Sequence, residues 1–155
     1  MMNVREWMAE EYKKAEHYLL HYDAEQKKYQ EDLADHMTKE KSEVGGGRGG
    51  VGDPTGSMAV KRVEYERTSE SFAWLDAVRS VEAILTDNER KILRWRREFD
   101  CGKYQKKGRG RPPWVINVVV RFATEDERVV SDFTIRKIWS NLVRIVVFAA
   151  QKRRY

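Results

Sequence analysis

Apolar and polar positions alternate most regularly near the end of the chain, in residues 131–150. Ser131 can cap a helix there, because its hydroxyl can accept a hydrogen bond from an unpaired N–H of the first turn, and Asp132 suits the positive end of the helix dipole. Apolar residues at helical spacing share one face: Ile135, Ile138, Leu142, Ile145 and Ala149. The other face carries Phe133, Arg136, Lys137, Ser140, Asn141 and Arg144. The pattern predicts an amphipathic helix with a basic face.

Residues 3–41 contain no proline or glycine and predict one long helix. Apolar and aromatic residues recur there at alternating spacings of four and three, as in a coiled-coil seam: Met8, Tyr12, Ala15, Leu19, Tyr22, Gln26, Tyr29 and Leu33. We expect residues 1–44 to pair with another helix, either of a second subunit or of the same chain. The alternative is an amphipathic helix lying on its own domain. A homo-oligomer is the favoured assembly.

A glycine-rich stretch follows, and residues 45–57 have the composition of a flexible linker. No Gly-Lys-Ser/Thr sequence follows at the spacing of a phosphate-binding loop, so the glycines predict a hinge. Asp53 and Pro54 are typical of an N-cap and a first helical residue. The chain is therefore divided into an N-terminal helical segment (1–44), a linker (45–57) and a helical domain (58–155).

Four further helices are predicted between the linker and the last helix. The first runs from Pro54 to about Leu85 with a packing face of Phe72, Leu75, Val78, Val81, Ile84 and Leu85. Thr86 and Glu89 form a capping-box pattern that starts the next, which ends near Phe99. Residues 114–123 are rich in β-branched residues, which favours a strand, but the helical surroundings favour a helix. We expect a helix there, a short one from Thr124 to Val130, and an all-α fold.

Charge is distributed unevenly along the chain. Residues 1–44 hold 7 Lys and Arg against 11 Asp and Glu, residues 45–100 hold 10 against 10, and residues 101–155 hold 13 against 4. A basic third on an otherwise acidic to neutral protein is typical of a nucleic-acid binder. An anionic membrane surface is the competing partner, but no stretch is long and apolar enough to span a bilayer.

The most basic segment, residues 100–113, contains Lys106, Lys107, Arg109 and Arg111. Its Arg-Gly-Arg-Pro core resembles the AT-hook, a minor-groove motif. Glycine lets an extended backbone enter a groove about 6 Å wide, and arginine is attracted by its negative potential. With the basic face of the helix that begins after Ser131, this segment predicts contacts to both grooves of DNA.

A wider resemblance rests on Asp53-Pro54-Thr55, on residues 86–90 and on residues 131–137. Residues 50–150 resemble the sigma-region-4-type helix-turn-helix of phage late-gene transcription activators, the RinA/ArpU group. The resemblance implies a sequence-specific DNA-binding transcription regulator in a bacterial host cytoplasm, with double-stranded DNA as partner and host RNA polymerase as a second candidate partner. It places DNA contacts at Phe133, Thr134, Arg136, Lys137 and Asn141, and Arg144 extends the same face. The alternative function is that of a small terminase-type DNA-packaging subunit.

Other classes of function find little support in the sequence. No nucleophile motif and no pair of carboxylates in an apolar setting is present, so we do not expect an enzyme. Cys101 is the only cysteine, and His17 and His21 lack a clear third ligand, so we expect neither a metal site nor a cofactor. The N-terminus lacks the apolar core of a signal peptide, which favours a cytoplasmic protein.

Overall fold

The computed structural model describes residues 3–44, 54–100 and 113–154. In these ranges the chain forms seven helices and no strand, which confirms the all-α prediction. The helices are α1 (Val4–Leu20), α2 (Tyr22–Val44), α3 (Pro54–Thr68), α4 (Glu70–Glu82), α5 (Asp87–Asp100), α6 (Pro113–Glu125) and α7 (Asp132–Arg154). The ambiguous residues 114–123 are therefore helical, as expected.

Local capping signals placed three helix starts correctly. The Thr86 N–H donates to Glu89 Oε1 at 3.3 Å, and the Glu89 N–H donates to Thr86 Oγ1 at 3.4 Å, which is the predicted capping box. The Thr134 N–H donates to Ser131 Oγ at 3.2 Å at the start of α7. Helix α3 begins at Pro54, so residues 54–57 of the predicted linker are helical, and the proposed cap Asp53 lies outside the described residues.

The prediction of one helix over residues 3–41 is wrong, because the chain changes direction at His21 (φ −114°, ψ 30°). The break lets α1 and α2 pack in different places. Ala15 and Leu19 of α1 lie in the main core, whereas Tyr29 and Leu33 of α2 pack with Leu75 in a second cluster. The apolar stripe thus pairs within the chain, and self-association stays a prediction.

Two other predicted helices also differ from the structure. The helix from Pro54 to Leu85 is interrupted at Ser69, whose Oγ accepts the Phe72 N–H at 3.2 Å and caps α4. The short helix from Thr124 to Val130 does not form. Instead α6 ends at Glu125, and the backbone turns through Glu127, which has a positive φ of 53°.

The main core is built around α7, which packs on α1, α4, α5 and α6. Ile135 and Leu142 are fully buried as predicted, but Ile145 is 40% exposed. The buried face is wider than the predicted stripe, because α1 and α4 cover α7 from two sides; its other members are Trp139, Val143, Val146, Val147 and Ala150. Ile84, expected in the core, is 74% exposed because α4 ends before it.

Candidate nucleic-acid interface

The exposed face of α7 carries all six of the helix residues proposed to contact DNA. Phe133, Thr134, Arg136, Lys137, Asn141 and Arg144 are exposed, whereas Ile135 and Leu142 between them are buried. Phe133, Lys137, Asn141 and Arg144 follow one another at spacings of four, four and three and so form one stripe along the helix. We call these four residues the α7 stripe. Ser140 lies exposed beside it.

The first turn of α7 already uses part of its hydrogen-bonding capacity. Ser131 Oγ and Thr134 Oγ1 are 2.8 Å apart, so the Thr134 hydroxyl is engaged by the cap. Arg136 donates to Asp132 at 3.4 Å. Within the described part of the chain, Lys137, Asn141 and Arg144 make no side-chain hydrogen bond or ion pair. The polar groups available to a ligand therefore begin one turn inside the helix.

A buried arginine fixes α7 against its neighbours. The guanidinium of Arg96, on α5, lies 4.1 Å from the ring centre of Trp114 and 4.3 Å from that of Trp139. Glu16 of α1 joins the cluster, because its carboxylate accepts from Arg96 at 3.1 Å and from the Trp139 indole N–H at 3.4 Å. Residues of four helices therefore meet at Trp139, next to Ser140, and the cluster joins α7 to α1, α5 and α6.

Burial perturbs the charged groups of this cluster. Desolvation lowers the pKa of Arg96, although the nearby carboxylates of Glu16 and Asp100 oppose that shift. Desolvation likewise raises the pKa of Asp100, and Arg96 and His21 act in the opposite direction. Arg96 is only 8% exposed and is surrounded by aromatic rings and carboxylates, so it has a structural role and is not open to a ligand.

The described residues that flank the predicted basic segment lie at the same cluster. Lys106, Lys107, Arg109 and Arg111 lie outside the described residues, and their contacts stay a prediction. The described residues on either side are Asp100, whose charge interacts with Arg96, and Pro113, which precedes Trp114. The ring centres of Trp114 and Trp139 are 5.6 Å apart. The two described residues that flank the segment therefore lie near the middle of α7.

The structure adds two features that sequence reasoning missed. A groove of about 310 Å³ lies between α1 and α7, where Tyr12 and Glu16 face Ser140 and Arg144. A larger groove of about 590 Å³ lies between α4 and α5 and is rimmed by Arg79, Arg90, Arg94 and Arg97. The spacing of the three α5 arginines, at i, i+4 and i+7, was a usable sequence signal. No sequence signal indicated the contribution of Arg79, because this residue lies on α4 and joins the groove only through tertiary packing.

Other candidate chemistry is sparse in the described residues. These ranges contain no group of three or more His, Cys, Asp and Glu side chains placed to hold a metal ion. None of their helices combines the length and apolar character needed to cross a membrane. Helices α6 and α7 pack on each other across residues 126–131, and their identification as a helix-turn-helix stays a prediction.

Comparisons with known proteins identify no relative: no family model, characterised protein or solved structure matches the chain.

Proposed function

We propose that the protein is a sequence-specific regulator of transcription that binds double-stranded DNA with α7 in the major groove. The observation that carries the proposal is the α7 stripe. Among the described residues, Lys137, Asn141 and Arg144 of this stripe have no side-chain partner, and the opposite face of the helix is buried in the core. A major groove admits one α-helix, and Lys, Arg and Asn are the residues that pair with guanine and adenine edges.

The contacts within the chain suggest different roles for the basic residues of α7. Lys137 and Arg144 can contact DNA without giving up an ion pair to any described residue. Arg136 first has to leave Asp132, but this exposed i,i+4 pair is worth only about 0.3–0.5 kcal/mol, so a base contact would outweigh it. Phe133 is 71% exposed at the N-terminal end of the helix, where a thymine methyl group would give it an apolar partner.

The basic segment extends the proposed interface into the minor groove. The described residues on either side of the segment, Asp100 and Pro113, lie at the cluster around Trp139, so we propose that the segment reaches a duplex lying along α7. Arg109 and Arg111 are the proposed minor-groove residues, and Lys106 and Lys107 are proposed to contact phosphates. A role at phage late promoters in the bacterial cytoplasm, with host RNA polymerase as partner, rests on the resemblance of residues 50–150 to the RinA/ArpU group.

Selection from a random library of double-stranded DNA tests the proposal. The full-length protein should enrich a defined motif over repeated rounds of capture and sequencing. The variant Lys137→Glu/Arg144→Glu should lose that enrichment. The matched control Lys27→Glu/Lys28→Glu changes net charge equally on exposed positions of α2 and should keep it. Absence of a motif with wild-type protein would reject sequence-specific binding.

A further inference from the structure

The groove between α4 and α5 has the composition of a binding site for an acidic peptide. It is about 590 Å³ in volume, its apolar wall includes Leu85 and Leu93, and arginines stand along its rim. Leu85 and Leu93 are largely buried, so the groove is continuous with the core surface. Ala83 is exposed at its edge and provides a further apolar contact.

Three arginines of this groove are available to a partner. Glu82 and Glu98, the two acids of the lining, are already held, because Arg97 binds Glu82 and Arg121 binds Glu98 at 3.0 Å. Within the described ranges, no carboxylate forms an ion pair with Arg79, Arg90 or Arg94. All three side chains are exposed, with the Arg94 guanidinium 5.9 Å from the ring centre of Trp95. Each can bind a carboxylate in a bidentate manner.

The backbone of the groove argues against phosphate as the ligand. Many phosphate sites add unpaired backbone N–H groups, as at a helix N-terminus, to their arginine and lysine side chains. Here the N–H groups of residues 83–85 donate to carbonyls of α4, and the Thr86 N–H donates to Glu89 Oε1. With its amides occupied and an apolar wall, the groove suits carboxylate side chains that alternate with apolar ones.

The groove is also separate from the proposed DNA interface. Helix α7 packs on α4 through its buried face, so the α7 stripe points away from α4. The groove is formed by α4 itself together with α5. A duplex lying along α7 therefore leaves the groove accessible.

We propose that the α4–α5 groove binds an acidic, leucine-containing segment of a partner protein. Carboxylates of that segment pair with Arg79, Arg90 and Arg94, and its apolar side chains contact Leu85 and Leu93. This site is independent of DNA binding, so a regulator can hold DNA on one face and a protein on another.

Fluorescence anisotropy with the full-length protein tests the groove. The probe is a labelled peptide of leucine, aspartate and glutamate, and its control is the same peptide with every leucine replaced by serine. Arg90→Glu/Arg94→Glu should weaken binding of the leucine peptide about tenfold or more, because two ion pairs become repulsions. Ala83→Trp should weaken it at unchanged charge by filling the groove. The serine peptide should bind more weakly than the leucine peptide.

The α7 variants separate this proposal from the proposed function. Lys137→Glu/Arg144→Glu should bind the peptide like wild type, whatever happens to DNA binding. Thermal unfolding should show that all variants are folded. The proposal is overturned if wild type does not bind the leucine peptide, or if the groove variants bind it unchanged. It is equally overturned if Arg90→Glu/Arg94→Glu reduces affinity for a DNA duplex and not for the peptide, because the groove would then contact the DNA backbone.

Discussion

The guanidinium of Arg96 lies 4.3 Å from the ring centre of Trp139, and one carboxylate, that of Glu16, binds both side chains. This relationship connects α1, α5 and α7 behind the proposed DNA-binding face. A desolvated cation over an aromatic ring contributes about 2 kcal/mol. The ion pair adds less, because the Arg96 side chain is buried but that of Glu16 is 41% exposed.

Replacing Arg96 should therefore destabilise the fold. We expect Arg96→Ala to lower the free energy of unfolding by about 2–3 kcal/mol in denaturant titrations. The control Arg62→Ala removes an exposed i,i+4 pair with Glu66 and should cost less than about 0.5 kcal/mol. Equal effects of the two substitutions would show that the aromatic cluster does not hold α7 in place.

A second prediction concerns alkaline pH. Burial, with a contribution from Glu66, raises the pKa of Tyr29 from its ordinary value of 10.0 to about 12. Between pH 10 and 12 the unfolded chain releases this proton while the folded chain retains it, so stability should fall by roughly 1–2 kcal/mol by pH 12. Tyr29→Phe should reduce this fall, as measured by denaturant titration at several pH values.

At neutral pH the same substitution should have little effect. The buried Tyr29 hydroxyl makes no hydrogen bond to any described group, so its removal leaves no partner unsatisfied. If Tyr29→Phe lowers the free energy of unfolding by more than about 1 kcal/mol at pH 7, the Tyr29 hydroxyl does make a hydrogen bond in the folded protein.

The apolar stripe of the N-terminal helices gives a third prediction. Leu19 is fully buried in the main core, so Leu19→Ala should lower the free energy of unfolding by about 2–5 kcal/mol. Val4, which is 76% exposed on the same helix, serves as control, and Val4→Ala should be nearly neutral. If light scattering instead shows that Leu19→Ala dissociates an oligomer while the subunit remains stable, the stripe is a subunit interface.

Features of the fold that depend on neighbouring residues in the sequence could be predicted, such as helix caps. The caps at Thr86 and Ser131 were predictable, because their hydrogen bonds join residues three positions apart. The cap at Ser69 is equally local and was overlooked. The break at His21 was not predictable, because it depends on where the neighbouring helices pack. Trp139 was missed as a core residue for the same reason: it is buried by Arg96 and Trp114, which are distant in the sequence. The exposed face of α7 was predictable from the spacing of its apolar residues. The α4–α5 groove was not, because it depends on how two helices pack against each other.

A fourth prediction addresses Arg109 and Arg111. If these residues enter the minor groove, replacing both by alanine should weaken binding most on sites with A·T-rich flanks, where the groove is narrow and its potential most negative. The measurement is a binding titration on duplexes that differ only in their flanks. Equal losses on G·C-rich flanks would assign the two arginines to phosphate contacts.

The central claim is that the α7 stripe binds DNA, and a salt-dependent titration tests it most directly. If wild type neutralises about five phosphates, log K should fall against log salt with a slope near −4 to −5. Lys137→Glu/Arg144→Glu should bind the selected duplex at least about 100-fold more weakly, with a slope smaller by about 2, whereas Lys27→Glu/Lys28→Glu should behave like wild type. Equal losses from the two charge-matched variants, or unchanged binding by the α7 variant, would contradict the account.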